Sequence, residues 1–281
     1  MGDKKNEAYI DEMVGVISYY LGDYDQAKGY LKKALAIRLK ISDKNGEATS
    51  YGNLGTVFRS LGEYDKAKEY LEKALAITIQ IGDKKGEASS YGNLGTVFRS
   101  LGEYDKAKEY LEKALAIKIQ ICDKDGEASL YGNLGTVFKS LGEYDKAKEY
   151  LEKALAIKIQ IGDKDGEASL YRNLGTVFTS LGEYDKPKEY LEKALAMSIE
   201  IGDKEGEAAD YGNLAAFYQS VSEYVTAEDY IEKALLITRE IKDLDKEFQI
   251  LCLLTVVKLS QSKIQEAFDC LLLSMNKSES L

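Results

Sequence analysis

The feature that most constrains this chain is a forty-residue period in its sequence. Three consecutive copies begin at Tyr51, Tyr91 and Tyr131, and each differs from the one before it at a single position over thirty residues. Self-similarity at such a period indicates a solenoid, in which each unit packs mainly on its neighbours. The 281 residues therefore predict one elongated stack of units rather than two ordinary domains.

Each unit contains two segments with helical periodicity. In the stretch YGNLGTVFRSL, the large residues Tyr51, Leu54 and Phe58 recur at spacings of three and four, which places them on one face of a helix. A second stripe of alanines and leucines follows at the same spacing. Gly62 lies between the two segments, and we expect it to adopt the left-handed conformation that ends a helix. Asp83 is predicted to cap the first helix of the next unit.

This pair of helices resembles the tetratricopeptide repeat in an extended form. The residues that carry the resemblance recur at each step of forty, and in the third unit they are Tyr91, Leu94, Gly95, Phe98, Gly102, Tyr104, Ala107, Leu111 and Ala114. The proline that commonly closes the shorter form of the repeat is missing, because Ile119 continues the helix. The resemblance implies an all-α, right-handed superhelical solenoid of about seven antiparallel helix pairs.

The predicted solenoid is a single domain, residues 1–281. Its units have the approximate bounds 3–42, 43–82, 83–122, 123–162, 163–202, 203–242 and 243–276, and residues 277–281 form a short polar tail. The fifth unit carries the only proline, Pro187, which a helix tolerates in its first turn, so we expect this helix to start near Glu183. The seventh unit is richer in apolar residues than a solvated end requires. That end is either buried against a partner or followed by further chain in the natural protein.

Composition excludes several classes of function. The net charge of −10 supplies no basic field to displace the counterions of a nucleic acid. Histidine is absent, which removes the commonest general base and metal ligand. No apolar run is long enough for a membrane helix, and the N-terminus is too charged for a signal peptide. We expect a cytoplasmic protein without enzymatic activity, cofactor, metal, nucleic-acid or membrane partner, and with Cys122, Cys252 and Cys270 as reduced thiols.

Two local motifs permit other interpretations. The strip DKDGE at 123–127 is similar to the start of a calcium loop, but the ligand required at the twelfth position is absent, and a capped helix turn explains the strip. YGNLG lacks the GK[ST] of a phosphate loop.

Gly95 allows close approach of the paired helices. Gly92 faces the polar side, where it admits either a neighbouring helix or a ligand backbone. The tyrosines are interpreted as packing residues, because base stacking would need a basic groove.

The polar side of the first helix in each pair is the surface that the fold does not need for its own packing. It repeats an asparagine, a threonine three residues later and, in several units, a cation. The predicted peptide-binding residues are Asn53, Thr56, Arg59, Asn93, Thr96, Arg99, Asn133, Thr136, Lys139, Arg172, Asn173 and Asn213. An amide both donates and accepts a hydrogen bond, so a ladder of asparagines matches the backbone of an extended chain. Alternatively, the asparagines form hydrogen bonds between helices.

The resemblance implies a function as well as a fold. In the tetratricopeptide repeat family, the first helices line a concave groove that holds extended peptides, so we expect a scaffold or adaptor that binds an extended, acidic segment of a partner protein. The repeats are similar to those of LGN/Pins-type cell-polarity adaptors, whose G-protein-binding motifs do not follow here. The alternative is a structural role: a spacer, self-association through the apolar seventh unit, or the sensor arm of a larger multidomain protein.

Overall fold

The computed structural model describes residues 2–183 and 185–278, with side chains at 3–183 and 185–273. Within these residues the chain forms fourteen α-helices and no strand. It divides into two compact units, Met1–Leu141 and Gly142–Leu281. The boundary between these units falls inside the fourth predicted repeat.

Within each unit, helices that follow one another in the chain pack as pairs. The unit Met1–Leu141 contains α1 (Gly2–Tyr20), α2 (Tyr24–Ile41), α3 (Lys44–Ser60), α4 (Tyr64–Ile81), α5 (Lys84–Ser100), α6 (Tyr104–Gln120) and α7 (Lys124–Ser140). The unit Gly142–Leu281 contains α8 (Tyr144–Ile161), α9 (Lys164–Ser180), α10 (Asp185–Ile201), α11 (Lys204–Ser220), α12 (Tyr224–Glu240), α13 (Leu244–Ser260) and α14 (Ile264–Ser278). The pairs α1–α2, α3–α4 and α5–α6 pack in the first unit, and α9–α10, α11–α12 and α13–α14 pack in the second. The predicted all-α fold of helix pairs is confirmed.

The predicted helix boundaries follow from their capping residues. Asp83 precedes α5, and its carboxylate accepts a hydrogen bond from the backbone N–H of Gly86 at 3.0 Å, which satisfies one of the four donors that have no partner within the helix. Asp123 caps α7 in the same way, as the helix-turn interpretation of the DKDGE strip requires. Gly62 and Gly82 have φ angles of 72° and 73°, so the left-handed helix ends are confirmed.

Close packing inside a pair depends on one glycine and three aromatic rings. A Cβ atom on Gly95 would lie only 2.7 Å from Cγ of Leu111, so the predicted close approach of α5 and α6 is confirmed. The ring of Tyr110 lies 5.9 Å from that of Tyr91 and 5.0 Å from that of Phe98. These separations are typical of packed aromatic pairs, so these two tyrosines are packing residues as predicted.

The fifth and seventh predicted repeats also form helix pairs. α10 begins at Asp185, which is two residues after the predicted start at Glu183. Pro187 therefore lies in the first turn of the helix, as predicted. Residues 277 and 278 of the predicted polar tail continue α14, and 279–281 lie outside the described residues.

The three cysteines are free. Among the described residues, no helix combines the length and apolar character that crossing a membrane requires.

Candidate functional site

The candidate site in each compact unit is the polar face of its first helices, by which we mean the side that carries the repeated asparagine, threonine and cation. These helices are α3, α5 and α7 in the unit Met1–Leu141, and α9 and α11 in the unit Gly142–Leu281. In the unit Met1–Leu141, α3 contacts α1 and α5, and α5 contacts α7. In the unit Gly142–Leu281, α11 contacts α9 and α13. All twelve predicted binding residues are half-buried, so each lies at the surface of its unit.

The asparagines divide into two groups. Nδ2 of Asn53 donates a hydrogen bond to Oε1 of Glu12 in α1 at 3.1 Å, which is the inter-helix role that was the alternative to ligand binding. The other four amides make no side-chain hydrogen bond to the described residues, and their atoms remain accessible to solvent: Asn93, Asn133, Asn173 and Asn213. Within the unit Met1–Leu141, the accessible amides therefore begin at α5 rather than at α3.

The threonines are engaged by their own helices. Each hydroxyl donates to a backbone carbonyl three or four residues earlier, at distances of 2.7–3.2 Å: Thr56, Thr96, Thr136 and Thr176. A hydroxyl that donates in this way keeps acceptor capacity. Oγ1 of Thr96 accepts a second hydrogen bond in this way, from Nη1 of Arg59 at 3.0 Å across the α3–α5 interface. The bond between Arg59 and Thr96 therefore joins two neighbouring repeats.

Two cations on α5 and α7 lie in less polar surroundings. Nε of Arg99 is buried and has no hydrogen-bond partner among the described residues. Burial lowers the pKa of Lys139 because its charged form loses hydration. A desolvated guanidinium gains more from an incoming carboxylate than a fully hydrated one does. Arg99 is therefore the predicted cation best placed to receive an anionic group.

Arg172 has an acidic partner within the chain. Its Nε and Nη2 donate to the two carboxylate oxygens of Asp210 in α11, at 2.5 and 3.1 Å, and Ser198 donates its hydroxyl to the same carboxylate at 2.7 Å. The Asp210 side chain is completely buried. Burial raises the pKa of Asp210, and the bonds from Arg172 and Ser198 offset that effect only in part. A ligand at Arg172 would have to compete with this ion pair.

A similar ion pair lies between the first two helix pairs, at residues that the sequence analysis did not select. Nη2 of Arg38 in α2 contacts the Glu12 carboxylate at 2.5 Å. Nη1 of Arg38 donates to the carbonyl of Gly46 at 2.7 Å and to Oγ of Ser50 at 2.9 Å. The sequence distinguishes Arg38 only by the variation among equivalent positions, which at steps of forty carry threonine, lysine, lysine, serine and threonine.

Comparison with solved structures shows the same fold in proteins of low sequence identity. The apo form of RapI superposes with a TM-score of 0.80 at 17% identity, covering 97% of this chain and 98% of that one. A Rap protein complexed with competence and sporulation factor gives 0.77 at 17% identity, covering 98% and 75%. A signal-transduction ATPase with a tetratricopeptide repeat sensor, from Pyrococcus horikoshii, gives 0.74 at 21% identity, covering 98% of this chain and 42% of that one.

Sequence comparison identifies the family. No curated protein is significantly similar to the chain. No comparison tests the resemblance to LGN/Pins-type repeats, which stays a prediction. The family model of the tetratricopeptide repeat matches residues 7–80, 62–120 and 126–200, which together make up more than half of the sequence. The chain therefore belongs to the tetratricopeptide repeat family.

Proposed function

We propose that this chain is a non-catalytic scaffold that binds an extended segment of a partner protein along the polar face of α5 and α7. The observation that carries the proposal is that α5 and α7 each present an accessible amide and that α5 also carries a desolvated cation. The side-chain amides of Asn93 and Asn133 make no hydrogen bond to the described residues, and Nε of Arg99 is buried and also has no partner among them. Polar groups that are half-buried and unsatisfied in the free protein gain hydrogen bonds when a ligand arrives.

The spacing of the ladder suits an extended chain. Packed helices lie about 8–10 Å apart, and an extended chain advances about 3.3 Å per residue. One step from the asparagine of one first helix to that of the next therefore corresponds to roughly three ligand residues. An acidic residue of the ligand near Arg99 or Lys139 would form a charge-assisted hydrogen bond.

The solved structures support the proposal by analogy of fold. One Rap protein is complexed with competence and sporulation factor, and the Rap conjugation regulator of plasmid pLS20 is in complex with the Phr* peptide. The second of these covers 97% of this chain at a TM-score of 0.74 and 16% identity. A protein that shares this fold is therefore found in complex with a peptide. The free thiols are in keeping with a cytoplasmic location.

The test selects a ligand and then removes the proposed contacts. Extended acidic peptides are selected from a display library on the wild-type chain, and their affinity is measured by fluorescence anisotropy. The triple change Asn93→Ala, Asn133→Ala and Arg99→Ala should weaken binding at least tenfold, because it removes three contacts that each contribute about 0.5–3 kcal/mol. The matched control changes Lys73→Ala and Lys113→Ala on the second helices. Equal affinities for all three proteins, or no selected peptide, would contradict the proposal.

A second candidate function is self-association through α14. Three leucines and Phe268 lie along this helix with about half of each side chain exposed: 53% for Phe268, 43% for Leu271, 44% for Leu272 and 45% for Leu273. Contiguous apolar exposure of this kind marks interaction surfaces. Light scattering of wild type and of Phe268→Glu with Leu272→Glu tests this role. A dimer that becomes a monomer supports it, and a wild-type monomer at high concentration excludes it.

A further inference from the structure

At the junctions between consecutive helix pairs within each compact unit, three equivalent positions lie on three neighbouring helices, and we call the residues at these positions the junction triad. At the first junction the triad is Glu12 in α1, Arg38 in α2 and Ser50 in α3. The members lie on three helices, and the same three positions recur at steps of forty. The later triads that lie within one compact unit are Gly52–Thr78–Ser90, Gly92–Lys118–Leu130, Arg172–Ser198–Asp210 and Gly212–Thr238–Ile250.

At four of these five junctions, a large side chain occupies the space between the helices. Arg38 does so at the first junction, and Arg172 does so at the junction with Asp210. At two further junctions an apolar residue of the next first helix approaches the glycine, as Ile250 approaches Gly212 and Leu130 approaches Gly92. The space between the helices of a junction therefore accommodates an arginine side chain. This arginine belongs to the second helix of a pair at the first junction, as Arg38 in α2, and to the first helix at another, as Arg172 in α9.

The second junction is different, because all three members of its triad are small. Gly52, Thr78 and Ser90 leave a cavity of about 370 Å³ between α3, α4 and α5. A Cβ atom built on Gly52 would meet nothing within 4 Å. The cavity is also lined by Asn53 and Asn93, so it adjoins the polar face. Its volume is sufficient for a side chain of the size of arginine.

Two of the three acceptors that hold Arg38 at the first junction, the Gly46 carbonyl and the Ser50 hydroxyl, have counterparts in this cavity. Ser90 corresponds to Ser50 and is only 5% exposed, yet its hydroxyl makes no hydrogen bond to the described residues. Gly86 lines the cavity and corresponds to Gly46, whose carbonyl accepts from Arg38 at 2.7 Å. The Ser90 residue is buried, but its hydroxyl oxygen remains accessible from the cavity, so it is available to accept a hydrogen bond from a guanidinium.

The cavity also contains a carboxylate that lacks a cation. At the next junction Nζ of Lys118 lies 2.6 Å from Oδ2 of Asp123, and this hydrogen bond is the main reason that the pKa of Asp123 is lowered. At the second junction Thr78 replaces that lysine. Asp83, the counterpart of Asp123, lines the cavity and forms no ion pair with the described residues. Lys85 is the one cation in the lining, and it is exposed.

We propose that the cavity between α3, α4 and α5 binds a guanidinium group supplied from outside the chain. The planar guanidinium carries five donors, which suit a carboxylate, a carbonyl and a hydroxyl arranged around one space. Asp83, Gly86 and Ser90 provide those three acceptors. The guanidinium comes either from an arginine side chain of a bound segment or from a free guanidino compound. The site does not depend on the peptide-binding role proposed above.

The test uses small probes on the full chain. N-acetyl-arginine-N-methylamide stands for an arginine side chain within a peptide, agmatine for a free guanidino compound, and N-acetyl-lysine-N-methylamide for a cation without the guanidinium shape. Each is titrated into ¹⁵N-labelled protein, and the amide resonances of Gly86 and Ser90 are followed. The two guanidinium probes distinguish the two sources by their relative affinities.

The repeat itself supplies the blocking variant. Thr78→Lys makes residues 64–81 identical to residues 104–121, which already fold in this chain with the lysine on the neighbouring aspartate. The added lysine should fill the cavity, pair with Asp83 and weaken guanidinium binding at least tenfold. Ser90→Leu, which copies Leu130, should have the same effect. The control Thr226→Lys adds the same charge in the other compact unit and should leave binding unchanged.

Three outcomes overturn the proposal. They are the absence of resonance shifts at Gly86 and Ser90 at saturating probe concentrations, equal binding of the lysine probe, and guanidinium binding that persists in Thr78→Lys. Shifts at Gly86 and Ser90 with both guanidinium probes, lost in Thr78→Lys and retained in Thr226→Lys, establish the site. Because no peptide is involved, these results stand whether or not the acidic-peptide experiment succeeds.

Discussion

The ion pair between Arg172 and Asp210 gives the most quantitative test of how neighbouring repeats are joined. The Asp210 side chain is 0% exposed and that of Arg172 19% exposed, and two hydrogen bonds of 2.5 and 3.1 Å connect them. Removing one partner of a buried pair leaves an uncompensated charge and costs about 3–5 kcal/mol. We expect Arg172→Gly and Asp210→Leu each to lower the free energy of unfolding by an amount in that range.

The single change Arg172→Gly has its own pH signature. Without the arginine, buried Asp210 takes up a proton, which at pH 7 costs about 4 kcal/mol for a carboxyl with an ordinary pKa near 4, at about 1.4 kcal/mol per pH unit. The folded-state pKa is then raised above the unfolded value. The stability deficit of Arg172→Gly should therefore shrink as the pH falls from 7 to about 4, and Asp210 is protonated in both states only below that pH.

A double variant distinguishes the loss of the ion pair between Arg172 and Asp210 from the loss of other packing contacts at the junction. Arg172→Gly with Asp210→Leu copies Gly92 and Leu130, which already pack at an equivalent junction. We expect the free energy of unfolding of the double variant to lie within about 1 kcal/mol of that of wild type, which gives a coupling free energy of about 5 kcal/mol or more. Additive single losses would refute the reasoning.

The assay has to resolve the junction as well as the whole chain. Urea unfolding followed by circular dichroism at 222 nm gives the overall loss. Repeat arrays can unfold in parts, so a single free energy is not assured. Hydrogen exchange of the backbone amides in α9 and α11 measures local opening at the junction itself. Both single variants should exchange faster there, and the double variant should return towards wild-type protection.

Two further predictions concern packing and acid stability. Gly95→Ala should lower the melting temperature, because its Cβ would lie 2.7 Å from Leu111 and relieving that contact costs about 1–3 kcal/mol. The control Gly29→Ala has no atom within 4 Å and should raise stability by up to about 1 kcal/mol. Since Lys118 lowers the pKa of Asp123, this carboxylate stabilises the fold above its ordinary pKa of 3.8, and the contribution is lost as the pH falls through the folded-state pKa. Lys118→Thr should therefore make the fall in melting temperature less steep on acidification, and an unchanged acid profile would contradict the pairing.

Much of the fold was predictable because its determinants are local. The periodic apolar residues, the caps at Asp83 and Asp123, and the left-handed Gly62 all act within a few residues of their own position. Gly95 was also predictable, because one recurrent position without a side chain in a helix interior needs a packing reason.

The candidate site was less predictable, because its contacts join residues from different units. The partner of Arg172 lies 38 residues later, and Asn53 is held by Glu12 41 residues earlier. A period of forty shows which residues are equivalent. It does not show which of them touch across a junction, so cations that face a neighbouring carboxylate and cations that face solvent look the same in sequence.

The differences between near-identical units acquire a physical meaning when they are followed from one junction to the next. Duplication copies one unit, but a later change at a junction alters the surroundings of a residue in the neighbouring unit. An arginine in place of glycine requires a buried acceptor, as Arg172 finds in Asp210. A glycine instead admits an apolar side chain, as Gly212 admits Ile250. Only the triad of Gly52 is small throughout, and the contacts missing from its cavity of about 370 Å³ are those that a ligand can restore.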